Sequence, residues 1–338
     1  MGNVLKSENR ESREHTTTSS TLQTPPRTPT ITATSAQTLA SEIHDIYHTL
    51  SKLPDLSPGT TINPLLTRLV NLCIVPYSHE FITYFFGIEN IHTLCEQLQS
   101  LCATAEGELE RFWARNIIEE SKQSKATATN DLLNTFPYYQ NYLDLSQIEC
   151  STLSAFLPPS STSPQKFAFI GSGPLPLTSL CILDIYPSAH VHNIDRDISA
   201  LQISQRLCEQ LGNTERMSFA CTDISLEDNV GTENTKWDEF DVVFLAALVG
   251  MDTQSKLSIL ESIARKLRPG ALVVARSAKG LRSVLYPILE ISGAMESIGL
   301  ETLIEVHPWT KVSFDLADCM PSRQGQVHIL IFLSFGLI

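Results

Sequence analysis

Apolar positions along this chain fall into two regimes. From residue 39 they recur at helical spacing, at Leu39, Ile43, Ile46, Tyr47 and Leu50 and again at Leu65, Leu66, Leu69, Val70 and Leu72. Pro54, Pro58, Pro64 and Pro76 cut this region into short helices, with Pro64 suited to a first helical turn. Further helical patterns cover residues 88–102 and 106–122, followed by a polar loop at 121–127. Beyond a Pro/Ser/Thr-rich linker at 157–164 the regime changes to short apolar runs alternating with helical ones. Strands are expected at 167–170, 189–194, 217–221, 240–245 and 271–276, and helices from Pro174, across 200–211 and 255–267, and near 284–289. Two last apolar segments, 301–306 and 327–332, are expected to pair antiparallel. The alternation predicts an α/β fold, a doubly wound parallel sheet preceded by a helical domain.

Three regions follow: residues 1–37 as a disordered Ser/Thr/Pro-rich tail, 38–160 as the helical domain and 161–338 as the sheet domain. A hydrophobic content of 42% is ample for a core of this size, so the chain reads as globular. A net charge of -13 argues against nucleic acid as a partner, because such binding relies on basic surface that releases counterions. No apolar run approaches membrane-spanning length, and the eight scattered cysteines read as reduced core thiols, so a cytoplasmic protein is expected. Met1-Gly2 fits a myristoylation start poorly, since Lys6 stands where Ser or Thr is wanted. The oligomeric state is not readable from these patterns.

The candidate chemistry begins where the first strand breaks at Gly171-Ser172-Gly173-Pro174. Glycines there let the backbone approach a ligand, and the following helix offers free N–H groups. The second strand ends at Asp195, about twenty residues on, where a carboxylate accepts a ribose diol, and the third ends near Asp223, placed to accept an adenine amine. Together they predict an adenosine site. NAD fits poorly because Pro176 occupies the place of the third small residue of a dinucleotide fingerprint. His190 and His192 share a strand face, but without a third ligand they predict no metal site.

The runs Phe169-Ile170-Gly171-Ser172-Gly173-Pro174-Leu175-Pro176-Leu177-Thr178-Ser179 and Asp241-Val242-Val243-Phe244-Leu245-Ala246-Ala247-Leu248-Val249-Gly250-Met251-Asp252 closely resemble the nicotianamine synthase family. So do Pro269-Gly270-Ala271-Leu272, Arg276-Ser277-Ala278, Leu285-Tyr286-Pro287, His307-Pro308, Ala105-Glu106-Gly107 with Glu110, and the aromatic block from Phe136 to Tyr142. The chain departs from the plant members at Ile194, before the first acid of Asn193-Ile194-Asp195-Arg196-Asp197, at Arg196 after it and at Lys279, and the segment after Pro308 is longer.

The resemblance implies a Rossmann-like class I S-adenosylmethionine transferase sheet and an enzyme condensing three S-adenosylmethionine molecules into nicotianamine, a metal chelator, with release of three methylthioadenosines. Such an enzyme presents the aminocarboxypropyl carbon of the sulfonium, rather than its methyl, to an amine, chiefly by orientation, and needs a base for the amine proton. By resemblance the base is Glu106 or Glu110, which lie four apart on one helix face, and Tyr138 or Tyr139 orients the substrate. S-adenosylmethionine contacts are expected from Gly171, Ser172, Gly173, Pro174, Asp195, Asp223 and Leu248. Arg276 is the candidate for gripping a substrate carboxylate, and His307 for a further substrate contact. The alternatives are a methyltransferase, or a protein that binds an adenosine ligand without chemistry.

Overall fold

A computed structural model describes residues 30–123, 129–157, 164–226, 235–290, 293–306 and 327–333. The helical module comprises α1 (Ile31–Leu50), α2 (Ile62–Ile74), α3 (His79–Phe86), α4 (Ile91–Gln123), α5 (Thr129–Leu133) and α6 (Tyr139–Phe156). Then come β1 (Lys166–Ile170), α7 (Leu177–Ile185), β2 (His190–Asp195), α8 (Ile198–Gln210), β3 (Met217–Cys221), β4 (Val242–Leu245), α9 (Thr253–Ala264), β5 (Leu272–Ser277), α10 (Ala294–Ser297), β6 (Leu300–Val306) and β7 (Val327–Leu333). Linker residues 158–163, most of the predicted tail, and His307 lie outside the described residues.

Helix α1 begins inside the stretch that composition predicts to be disordered. Thr30 caps it, its hydroxyl accepting from Ala33 N at 3.2 Å, and the apolar stripe runs back to the buried Ala36. The two predicted helical patterns at 88–102 and 106–122 are one helix of 33 residues, α4, about 50 Å long at 1.5 Å per residue. Its first half packs on α1 to α3 and its second half on the sheet domain. No helix forms at 284–289. A short 3₁₀ turn, Gly280–Val284, ends before Pro287, which has no N–H to donate and disfavours helical backbone in the residue ahead of it.

The sheet runs β3-β2-β1-β4-β5-β7-β6, and every neighbouring pair is parallel. The antiparallel pairing expected for the last two strands is therefore wrong. Parallel neighbours need a connection of a dozen or more residues, and twenty separate β6 from β7, so chain length permits either direction. Strands β1, β4 and β5 are buried on both faces, as their unbroken apolar runs predict. The chain order reverses at β1, whose neighbours are β2 and β4, and a crevice opens at the carboxyl ends of the strands there.

The two modules share their cores. Ala114, Ile117, Tyr142 and Leu153 of the helices pack with Phe167, Phe169 and Phe244 of the sheet, while Leu98 and Cys102 pack with Leu281 and Tyr286. Each fully buried leucine of this kind contributes roughly 1.5–3 kcal/mol. Polar ties cross the same seam: Gln99 donates to the Ser283 carbonyl at 2.7 Å, and Arg111 of α4, also paired within its helix to Glu108, pairs with Asp197 at the start of α8. The helical module is thereby fixed as a lid over the strand ends.

Candidate active site

A cavity of about 670 Å³ occupies the crevice between α4 and the carboxyl ends of β1 to β5. Its size suits a drug-sized ligand. On the sheet side, Gly171 (φ +80°) and Gly173 (φ +64°) turn the chain out of β1 in the left-handed region. A Cβ on Gly171 would collide with Val249, and one on Gly173 with a carboxylate oxygen of Glu110. The glycine turn and the helical lid therefore touch, and Gly173 leaves the space that Glu110 fills.

Asp195 bridges the turn. One oxygen accepts from Gly173 N at 2.9 Å and the other from Asp197 N at 2.9 Å. Each carboxylate oxygen retains a further acceptor site for a ligand hydroxyl. Asp223 lies farther along the cavity after β3, accepting from Ser225 N and Oγ, which holds its carboxyl below the usual range. Ser172, Pro174 and Leu248 also line the cavity, so all seven residues expected to contact S-adenosylmethionine meet in one place.

The lid contributes Glu106 and Glu110, one turn apart on α4. Burial pushes Glu106 up to about 7, against a hydrogen bond from Tyr286 and the charge of Arg276. Its Oε2 is buried with no hydrogen-bond partner among the described residues. Glu110 is raised well above its ordinary value by burial and then by Glu106, while the Tyr142 hydroxyl donates to its Oε1 at 3.1 Å and opposes the shift. The buried hydroxyls of Ser172 and Thr222 are likewise unpartnered at the cavity wall. Orphaned polar atoms around one space mark a place prepared for a polar ligand. Two buried carboxylates, one still wanting a donor, suit a cation carrying N–H groups.

Neither Tyr138 nor Tyr139 reaches the cavity. Tyr138 precedes α6 and stacks edge-on against Phe136, and Tyr139 is buried on the α7 side, where burial and the neighbouring Cys181 and Asp184 raise its hydroxyl. Tyr142 faces the cavity instead. The phase of α6 decides this: a helix starting at Tyr139 turns Tyr142 toward α4. Tyr142 belongs to the same aromatic block, one helical turn from the two expected tyrosines.

Arg276 also differs from expectation. Its guanidinium is buried, and the carboxylate it grips two-pronged is that of Glu149, at 2.8 and 2.9 Å, with Thr178 Oγ1 at 3.0 Å. Burial works against the charge, but Glu149 outweighs it and raises the guanidinium further. Arg276 lines the cavity as a braced wall that ties α6 to β5. Among the described residues, no group of three or more His, Cys, Asp or Glu side chains is arranged to hold a metal ion. His192 Nδ1 lies 2.7 Å from Ser218 Oγ instead.

The profile of the family described as nicotianamine synthase protein matches residues 32–315. The chain belongs to that family. It is 38% identical over 276 residues to probable nicotianamine synthase 4 of Arabidopsis thaliana, covering 81% of this chain and 80% of the relative. It is 33% identical over 278 residues to nicotianamine synthase of Solanum lycopersicum, covering 81% and 80%. Two solved structures share the fold. A mutant of MtNAS in complex with S-adenosylmethionine has a TM-score of 0.57 at 20% identity, covering 74% of this chain and 86% of that one. MtNAS in complex with MTA and tNA has a TM-score of 0.56 at 19% identity, covering 78% and 89%. A Rossmann-like class I fold is thus common to this chain and those structures.

Proposed function

We propose that this protein condenses S-adenosylmethionine into nicotianamine by repeated aminocarboxypropyl transfer. The observation that carries the reading is the Glu106–Glu110 pair, set directly over the Gly171–Gly173 turn inside a cavity that also holds Asp195 and Asp223. The family's members in plants are named for this product.

In this reading Asp195 and Asp223 hold the nucleoside, and the glycine turn receives the methionine end of the substrate. The sulfonium activates three carbons equally well by charge, so selectivity rests on which one faces the incoming amine. Glu110 lies against Gly173 and is oriented by Tyr142, so it is the base that takes the amine proton. The nitrogen then forms a bond to the γ-carbon, the sulfur–carbon bond breaks, and its electron pair leaves on the neutral thioether. A carboxylate with a raised pKa is a stronger base than an exposed one, which suits removal of a proton from an ammonium. Glu106, with its unpartnered oxygen, receives the substrate ammonium.

Among the described residues no helix is long and apolar enough to cross a membrane. A cytoplasmic location and a role in metal homeostasis complete the proposal, since nicotianamine chelates metal ions. The test is the thioether released from S-adenosylmethionine: methylthioadenosine supports aminocarboxypropyl transfer, and S-adenosylhomocysteine formed on adding an acceptor supports methyl transfer instead.

A further inference from the structure

The loop after β4, residues 246–250, forms one wall of the cavity and is clamped from two sides. On one side Ala246 N donates to the Ile170 carbonyl at 3.0 Å, and Val249 packs where a Cβ of Gly171 would stand. On the other side lies Lys256, whose side chain is wholly buried although it sits on α9 of an acidic protein. Its Nζ donates to the Ala247 carbonyl at 2.6 Å and to the Val249 carbonyl at 2.8 Å. Gly250 has φ +74°, and a Cβ there would meet Lys256 Cγ at 2.8 Å and Lys256 N at 2.9 Å. The loop is thus fitted around the lysine at atomic contact.

Burying an ammonium is costly unless hydrogen bonds compensate, and burial lowers this one to about 7, with Asp252 opposing. Amphipathic helices normally send lysine to solvent. A lysine turned inward to two loop carbonyls has a local task, since its two bonds tie the Ala247 and Val249 peptide units to α9. A planar peptide unit whose C=O points to Lys256 turns its N–H the opposite way, so the same two bonds also fix the outlook of the Leu248 and Gly250 amides.

We propose that Lys256 is a positioning residue for substrate, holding the 246–250 loop in the form that walls the nucleoside cavity and seats Val249 against the Gly171 turn. It touches no reacting atom. Its loss weakens ligand binding and leaves the Glu110 chemistry of bound substrate in place. The inference rests on the reading of the cavity as an S-adenosylmethionine site.

Lys256→Met preserves length and apolar packing while removing the donors. Methylthioadenosine affinity by calorimetry and KM for S-adenosylmethionine are both expected to weaken about tenfold or more, with kcat within about threefold of the parent. Amide exchange should accelerate across 246–250 and stay unchanged in β5. Gly250→Ala displaces the same loop with the lysine intact, should give the same split, and decides alone if Lys256→Met does not fold. Unchanged methylthioadenosine affinity in the folded variant, or a fall in kcat with KM unmoved, overturns the proposal. Failure of the functional reading would appear differently, as a parent protein that makes no nicotianamine.

Discussion

Glu110→Gln separates chemistry from structure at this site. The substitution keeps the shape of the side chain, its acceptance of the Tyr142 hydroxyl and its contact with Gly173, and it deletes only the charge. Burial and then the neighbouring Glu106 raise Glu110 well above its ordinary value, so the folded protein disfavours two charges here. Removing one of them should leave the fold as stable as the parent or more so. A general base contributes about 10²–10⁴-fold in rate, equivalent to about 2.7–5.4 kcal/mol of barrier. The expected result is therefore a loss of kcat in that range, with methylthioadenosine affinity little changed and an equal or higher melting temperature. The assay is methylthioadenosine release under saturating S-adenosylmethionine, alongside calorimetry and thermal melts. A kcat within about threefold of the parent would refute the assignment of the base, and a rate loss matched by a lower melting temperature would assign Glu110 a structural role.

Three further outcomes follow from the same contacts. Glu106 is raised to about 7 in the folded protein, so between the ordinary carboxylate range and pH 7 the folded state binds more protons than the unfolded one, and stability falls as pH rises through that window. The cost at pH 8 is about 3 kcal/mol, and Glu106→Gln should flatten the slope in denaturant melts at pH 5 and pH 8; an unchanged slope contradicts it. Glu149→Gln leaves the buried Arg276 without its counter-charge and should lower unfolding free energy by about 3–5 kcal/mol, whereas a loss under about 1 kcal/mol would show that the pair is not holding α6 to β5. Gly107 sits mid-helix in α4 at the cavity wall, and the nearest protein atom to an added Cβ is Arg111 Nη1 at 3.5 Å. Gly107→Ala should raise stability by about 0.5–1 kcal/mol and raise KM for S-adenosylmethionine; a more stable enzyme with unchanged KM would show that this space is not used by substrate.

The parts of this site read from sequence are those that local geometry dictates. Gly171 and Gly173 adopt backbone that only glycine enters freely, and Asp195 and Asp223 lie at the ends of β2 and β3, which the alternation of short strands with helices marks out. Glu106 and Glu110 reach the cavity together because both lie on one face of α4. What escaped depended on phase, direction or distant partners. Tyr142 rather than Tyr139 faces the ligand space because of where α6 starts, and β6 and β7 carry no local mark of their direction. Glu149 meets Arg276 across 127 residues of sequence, a pairing that only the packed fold creates. Lys256 falls in the helix expected across 255–267 with no mark of its inward turn, which the tertiary structure alone creates.

The central claim is that one cavity converts S-adenosylmethionine alone into nicotianamine. Purified protein supplied with S-adenosylmethionine and no other acceptor should yield nicotianamine by mass spectrometry, with three methylthioadenosines for each molecule formed. Methylthioadenosine without nicotianamine, or S-adenosylhomocysteine as the released thioether, would contradict the account.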